Sequence, residues 1–270
     1  MISVLGLMTC FNRKEKTIRA LENLIKGNQK IDFSFVVADD ASTDGTAEAL
    51  KSFPNVTVLS GNGSLFYSGG MREAIKYAKA AGNHYDYCLL FNDDVDFVDS
   101  AIEELCQKDS KVIWVGPTSD EKGNLSYGGV VKTSGWHPKT KIVMASSQEG
   151  CVCDTFNANC VLIPWEIFMN LDNIDSAYTH SMGDFDYGFS AGRKGYIIKV
   201  SDKYVGECPD NPVNISWRNT ELSRKERLKK KESPKGLPTK EWFHYLKKNY
   251  NILTALIYSA VPFVRIALKK

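Results

Sequence analysis

Three apolar runs, residues 2–9, 33–38 and 85–90, each stop at a polar or acidic loop, with amphipathic stretches between them. Short apolar runs bounded by turn formers read as buried strands, and apolar residues returning every three or four positions read as helix. Residues 13–26 carry Ile18, Leu21, Leu24 and Ile25 on one face, and Asn12 is placed to cap them. A polar loop at 39–46 leads into a short helix ending near residue 53 and a strand at 56–59; a loop at 61–68 and a helix at 69–81 precede the third apolar run. Strand and helix in this alternation predict an α/β fold with a parallel sheet wound in one sense. Ligands of such sheets sit at the carboxyl ends of the strands. The loops at 9–13, 39–46 and 92–96 are therefore expected on one rim.

The third loop has the strongest chemistry. In Phe91-Asn92-Asp93-Asp94-Val95-Asp96, three carboxylates crowd behind a buried strand. Such a cluster repels itself unless a cation joins it, and a divalent ion carrying a diphosphate is a common solution. The net charge of +2 offers no broad basic surface, so no nucleic-acid partner is expected. Seven cysteines, odd in number and mostly set in apolar sequence, suit reduced thiols in a cytoplasmic compartment. Cys151-Val152-Cys153 lacks the second pair or nearby histidines that a zinc site needs. Residues 1–9 run into the first strand without the regions of an export signal, and none is expected.

From 116 to 150 the pattern changes to turns and short strands, including Tyr127-Gly128-Gly129 and Ser134-Gly135-Trp136-His137-Pro138, which predict hairpins. The expected organisation is a domain over 1–220, with a nucleotide-binding half at 1–115 and an acceptor half at 116–220. A basic linker and helices follow at 221–270.

Thr9-Cys10-Phe11-Asn12-Arg13, Val37-Ala38-Asp39-Asp40-Ala41-Ser42-Thr43-Asp44-Gly45-Thr46 and Asn92-Asp93-Asp94 resemble, in order and spacing, the nucleotide-sugar half of glycosyltransferase family 2, the inverting GT-A group. The resemblance covers residues 2–200, and the second segment is its most specific part. It implies a GT-A-like, Rossmann-like, mostly parallel sheet flanked by helices. It also implies that Thr9, Phe11 and Arg13 surround base and ribose while Asp40 accepts a hydrogen bond from the base imide. Uracil and thymine present one N–H between two carbonyls, a good match to a carboxylate, so the implied donor is a UDP- or dTDP-sugar.

The family's Asp-x-Asp falls on Asp94-Val95-Asp96 or, with asparagine replacing the first aspartate, on Asn92-Asp93-Asp94. By the resemblance Asp94, common to both registers, coordinates Mg²⁺ or Mn²⁺ on the diphosphate, with Asp96 as a second ligand and Asp93 on ribose or metal-bound water. The ion would act as a Lewis acid for the departing diphosphate. Gly61-Asn62-Gly63-Ser64-Leu65-Phe66-Tyr67-Ser68-Gly69-Gly70-Met71-Arg72 resembles a segment beside the donor. There Gly69 and Gly70 open a helix and Arg72 reaches phosphate. With Phe66 standing where the pattern's third glycine belongs, it is no dinucleotide fingerprint.

Asp154-Thr155-Phe156-Asn157-Ala158-Asn159-Cys160, running into Val161-Leu162-Ile163, resembles the strand that enters the acceptor site and brings Asn159 there. Gly183-Asp184-Phe185-Asp186 resembles the family's Glu-Asp-x-Asp, with glycine for the glutamate. Inversion needs one general base facing away from the leaving group. Asp184 matches that position, Asp186 would orient the site, and His180 would contact acceptor or metal. The metal-binding histidine often found beyond this helix has no counterpart in Tyr204-Val205-Gly206-Glu207-Cys208.

Residues 224–235 read as a basic linker and 239–270 as one or two helices. Within them 252–264 is uncharged, flanked by Lys247, Lys248, Arg265, Lys269 and Lys270, with Trp242, Phe243, Tyr245 and Tyr250 upstream. Thirteen residues are too few to span a bilayer, which takes about twenty. They suit an interfacial helix on an anionic membrane, helped by Arg224, Lys225, Arg227 and Lys229-Lys230-Lys231. A helix packed on the domain or in an oligomer is the alternative. In the membrane reading the tail is separable, and residues 1–220 alone are expected to bind the donor.

The resulting expectation is a metal-dependent inverting glycosyltransferase in bacterial surface polysaccharide (O-antigen or capsule) synthesis. Its acceptor would be a polyprenyl-diphosphate-linked glycan at the inner face of the cell membrane. One rival is a sugar-phosphate nucleotidyltransferase, whose first strand leads into a glycine-rich loop bearing Arg and Lys, unlike Thr9-Cys10-Phe11-Asn12-Arg13. The other is a non-catalytic, membrane-associated nucleotide-sugar-binding subunit, against which Asp94 and Asp184 together argue.

Overall fold

The computed structural model describes residues 1–209 and 216–269. Strands β1 (Ile2–Cys10), β2 (Ile31–Asp39), β3 (Val56–Ser60) and β4 (Tyr87–Phe91) alternate with helices α1 (Lys14–Gly27), α2 (Thr46–Leu50) and α3 (Phe66–Ala80). These four strands are mutually parallel, in the order β3-β2-β1-β4. Side chains alternate across them as a two-residue period requires. Val4, Met8, Leu89 and Phe91 face a layer with Leu21 and Leu24 of α1, while Leu5, Leu7, Cys88 and Leu90 face Met71 and Ile75 of α3. Burial on both faces explains why the runs are continuously apolar.

The rest of the described chain comprises β5 (Asp96–Phe97), α4 (Ala101–Cys106), β6 (Val112–Val115), β7 (Thr118–Ser119), β8 (Leu125–Tyr127), β9 (Gly129–Lys132), β10 (Thr140–Val143), β11 (Cys151–Val152), β12 (Thr155–Phe156), β13 (Cys160–Pro164), α5 (Trp165–Asn170), α6 (Gly183–Arg193), β14 (Ile197–Val200), β15 (Gly206–Glu207), α7 (Arg224–Lys231), α8 (Thr239–Asn249) and α9 (Ile252–Ala267). The main sheet has eight strands, β11-β14-β6-β13-β4-β1-β2-β3, so the two expected halves of the domain share it. β13 runs antiparallel to both neighbours, with Cys160 opposite Phe91. It therefore enters the sheet at the rim where β1, β2 and β4 leave it.

Three local expectations change. Asn12 does not cap α1: its backbone is left-handed (φ 50°), and its side-chain oxygen accepts from the Thr43 N–H at 2.7 Å. The first helical amide, that of Lys14, donates instead to Asp44 at 2.9 Å, so the cap comes from the neighbouring loop. Helix α3 starts at Phe66, three residues early, with Gly69 and Gly70 inside it. A Cβ on Gly70 would lie 2.1 Å from Thr9 Oγ1, so this glycine lets α3 lie against β1. The basic linker contains a helix, α7, opened by a reciprocal capping box between Ser223 and Glu226. Its Arg227 and Lys231 are buried, leaving a smaller basic surface than the sequence suggests.

The carboxyl-terminal segment forms two helices. Tyr245, Leu246 and Ala255 build a core with Tyr178 and Phe189. Buried Asp186 accepts from Lys248 at 2.7 Å and from Asn249 at 2.9 Å, fastening α8 to α6. Across α9 the surface divides. Thr254, Ala255, Pro262 and Ile266 are buried, while Ile252, Leu253, Leu256, Ile257, Phe263, Val264 and Leu268 are exposed. Among the described residues no helix is long and apolar enough to cross a membrane. Lys270 lies outside them.

Candidate active site

At the rim where β1, β2 and β4 end and β13 begins lies a cavity of about 640 Å³. Thr9, Phe11 and Arg13 reach it from the loop after β1, Asp40 from the loop after β2, and Asn92, Asp93 and Asp94 from the loop after β4. Tyr127, Asn157 and Asn159 come from the second half, and His180, Asp184 and Phe185 from the approach to α6 and its first turn. The parallel register makes this convergence unavoidable, since all three loops leave the sheet on one side.

Arg13 is the hub of the acidic corner. Its guanidinium bonds Asp93 at 2.6 Å and Asp94 at 3.1 Å. Asp93 is buried and also accepts from the Thr17 hydroxyl at 3.0 Å; burial pushes its carboxyl up, and Arg13 opposes that shift. Asp94 keeps a third of its side chain exposed. Asp96 goes elsewhere: it lies in β5, ion-paired with Arg19 at 2.7 Å, and does not line the cavity. Of the two registers, Asn92-Asp93-Asp94 is the one that the fold brings to the cavity.

Among the described residues no three His, Cys, Asp or Glu side chains gather closely enough to hold a metal unaided. A hard cation held by one or two carboxylates, with its other oxygens drawn from a bound diphosphate, matches the donors present. Cys208 Sγ lies 3.8 Å from Asp94.

Asp40 is nearly buried beneath the glycine-rich loop. Its two oxygens accept the N–H groups of Gly63, at 2.8 Å, and Phe66, at 3.0 Å. These amides are thus turned inward, onto Asp40. Each carboxylate oxygen still has a second lone pair for a ligand. Arg72 does not line the cavity. It donates to the carbonyls of Asp175 (3.1 Å) and Tyr178 (2.8 Å), pinning the segment that carries His180. Gly69 and Gly70 lie in the body of α3, and Asp186 is committed to the α6–α8 joint; none of the three lines the cavity.

Asp184 stands in the first turn of α6, accepting from the N–H groups of Ala158 at 3.2 Å and Phe185 at 2.9 Å. Removal from water pushes its carboxyl up to about 6, while these N–H groups hold it down. The preceding Gly183 has no room for a side chain, because a Cβ would lie 2.4 Å from Ser68 Oγ. His180 is held neutral, its pKa lowered to about 4 by burial and then by Lys235 and Arg13. Its Nδ1 faces the Tyr67 N–H at 3.4 Å, so the ring proton resides on Nε2. Asn159 Oδ1 accepts from Asn92 at 3.2 Å.

Tyr67, Asn157 and Lys235 also line the cavity, without a role assigned to them from the sequence. The Tyr67 hydroxyl and Asn157 Oδ1 are buried with no hydrogen-bond partner among the described residues, although both residues line the cavity. Buried polar atoms normally find partners, so these two are groups on which a bound ligand could complete the bonding. Lys235 is the third, reaching the cavity from the turn between α7 and α8.

The sequence profile of glycosyl transferase family 2 matches residues 7–154, more than half of the chain. A search of curated proteins finds no match at a comparable level of significance. Among solved structures, the chain is similar to the mannosyltransferase PcManGT from Pyrobaculum calidifontis in complex with GDP-Man and Mn²⁺. That likeness has 13% identity and a TM-score of 0.54, over 98% of this chain and 73% of that one. GalNAc-T7 with UDP, GalNAc and Mn²⁺ is similar at 13% identity and TM-score 0.57, over 98% of this chain and 57% of the other. S. aureus TarS 1–349 is similar at 14% identity and TM-score 0.53, over 98% and 73%. At these identities the likeness speaks for the fold.

Proposed function

We propose that this chain, which belongs to glycosyl transferase family 2, transfers a sugar from a UDP- or dTDP-sugar to a hydroxyl of a glycan acceptor with inversion. One observation carries the reading. A carboxylate with its pKa raised to about 6, Asp184, shares a cavity with the Arg13–Asp93–Asp94 group at the carboxyl ends of parallel strands. That pairs a proton acceptor poised near working pH with a corner suited to a diphosphate.

In the reaction the acceptor hydroxyl oxygen forms a bond to the anomeric carbon. The bond from that carbon to the diphosphate oxygen breaks, and its electron pair leaves with the diphosphate. The hydroxyl proton passes to Asp184. A Mg²⁺ or Mn²⁺ ion held by Asp94, with Asp93 beside it, would supply charge neutralisation for the diphosphate. Mn²⁺ accompanies two of the similar structures, which supports this choice of cofactor. Thr9 and Phe11 flank the base, Asp40 accepts its imide N–H, and His180 offers Nε2–H to phosphate or acceptor.

Titration calorimetry of the full chain tests the donor. UDP or dTDP should bind far better than GDP or CDP, and equal binding of all four would remove base reading by Asp40. NMR of the product should show the anomeric configuration opposite to that of the donor.

The exposed apolar face of α9 supports a second element of the reading: attachment to an anionic membrane surface from the cytoplasmic side, where a polyprenyl-diphosphate-linked glycan of bacterial surface polysaccharide synthesis would be the acceptor.

A further inference from the structure

We propose that Lys235 is the cation that this site offers to the diphosphate of the donor, an inference that rests on the nucleotide-sugar reading above. The charges lining the cavity lead to it. Asp40, Asp93, Asp94 and Asp184 line it against two cations, Arg13 and Lys235, with His180 neutral. Arg13 is already committed to Asp93 and Asp94. Among the described residues Lys235 is the lining cation that stands outside any ion pair. Arg13 and a single divalent ion together still leave these four acids in excess, so the added negative charge of a nucleoside diphosphate calls for the remaining cation, Lys235. An ammonium on a flexible stem suits phosphate as a point charge.

The turn that presents Lys235 is a built structure. At its base Lys231 is fully buried, with its ammonium on Glu232 at 2.6 Å and on the Thr239 hydroxyl at 2.6 Å. Glu232 also accepts the Thr239 N–H at 3.0 Å, closing the turn across its neck. Within it, Gly236 N–H donates to the Ser233 carbonyl at 2.8 Å and Leu237 N–H to the Lys231 carbonyl at 2.7 Å. Gly236 packs so closely that a Cβ would lie 2.1 Å from the Lys230 carbonyl oxygen. The Ser181 hydroxyl approaches the Gly236 carbonyl at 3.5 Å, and the Thr179 N–H donates to Glu241 at 3.1 Å, tying the turn and α8 to the segment that carries His180. Lys235 is itself exposed and carries none of this framework.

The test compares full-length wild type, Lys235→Ala and Lys235→Arg by titration calorimetry with Mg²⁺ present. The probes are UDP, dTDP, GDP and CDP and the matching monophosphates, with thermal unfolding as the control for folding. Lys235→Ala should lose about tenfold in affinity for whichever diphosphate the wild type binds, and much less for its monophosphate. Lys235→Arg should retain most of the difference. Unchanged diphosphate affinity in Lys235→Ala, or equal loss for mono- and diphosphate, overturns the role of Lys235 and leaves the donor reading standing. A wild-type protein that binds none of the diphosphates overturns the donor reading and this inference with it.

Discussion

Asp184 holds its proton up to a pH of about 6 because the cavity wall withdraws it from water. A general base works only when deprotonated, so turnover at saturating donor should climb as pH rises through about 6 and level off above it. Asp184→Asn should cost about a hundredfold or more in turnover, keep donor affinity and abolish this acid limb. Rate profiles from pH 4.5 to 8 check both; a folded variant with normal turnover would put the base elsewhere. The raised pKa also acts on stability. Its contribution is fully present below the unfolded value of 3.8 and is lost as pH rises through about 6. Wild type should therefore lose stability relative to Asp184→Asn over that window, by about 1–3 kcal/mol, as thermal or urea unfolding at pH 4 and pH 7 would show. At this scale the sequence was legible where placement is local: Asp184 at a helix start and Asp94 behind a strand both reach the cavity. It was opaque where a partner lies far along the chain. Arg72 meets Tyr178, Asp96 meets Arg19, and Asp186 meets Lys248, all more than sixty residues apart, and only the fold reveals that each is already engaged.

At the scale of elements, the apolar runs announced the four parallel strands because burial on both faces leaves little other choice of residue. The capping box at Ser223 and Glu226 was equally visible in the sequence, but the dense basic charge around it read as solvated linker. Helix α9 carries the element-scale prediction. Leu253, Leu256 and Val264 are each more than half exposed, while the opposite face is packed. Burying such side chains yields about 25 cal/mol per Å² of apolar surface, and each nearby Lys or Arg adds about 1 kcal/mol on an anionic membrane. The double variant Leu253→Glu/Leu256→Glu should therefore lose co-sedimentation with phosphatidylserine-containing vesicles and keep donor affinity. Wild type should release from the vesicles as salt is raised. A wild type that ignores anionic vesicles at low salt would make this face an interface between proteins.

Over the whole molecule, the carboxyl-terminal helices belong to the domain they follow. Removing residues 221–270 would uncover Tyr178 and Phe189, leave Asp186 without Lys248 and Asn249, and take Lys235 from the cavity. Losing that shared core and two of the partners of Asp186 removes support from the domain itself, so the separable tail read from the sequence does not suit this fold. A chain ending at residue 220 should unfold at much lower urea than the full protein and bind donor poorly; equal midpoints would show that the joint carries little. The antiparallel strand β13 has its own consequence, one of timing. β4 is apolar along its whole length, and its partner β13 begins roughly seventy residues later. At typical synthesis rates the interval is on the order of 3–14 s. Throughout it, the emerging chain presents an unpaired hydrophobic edge, the form most open to pairing with another nascent copy. The same crossing that gathers the site on one rim should make this protein lean on chaperones while it is being made.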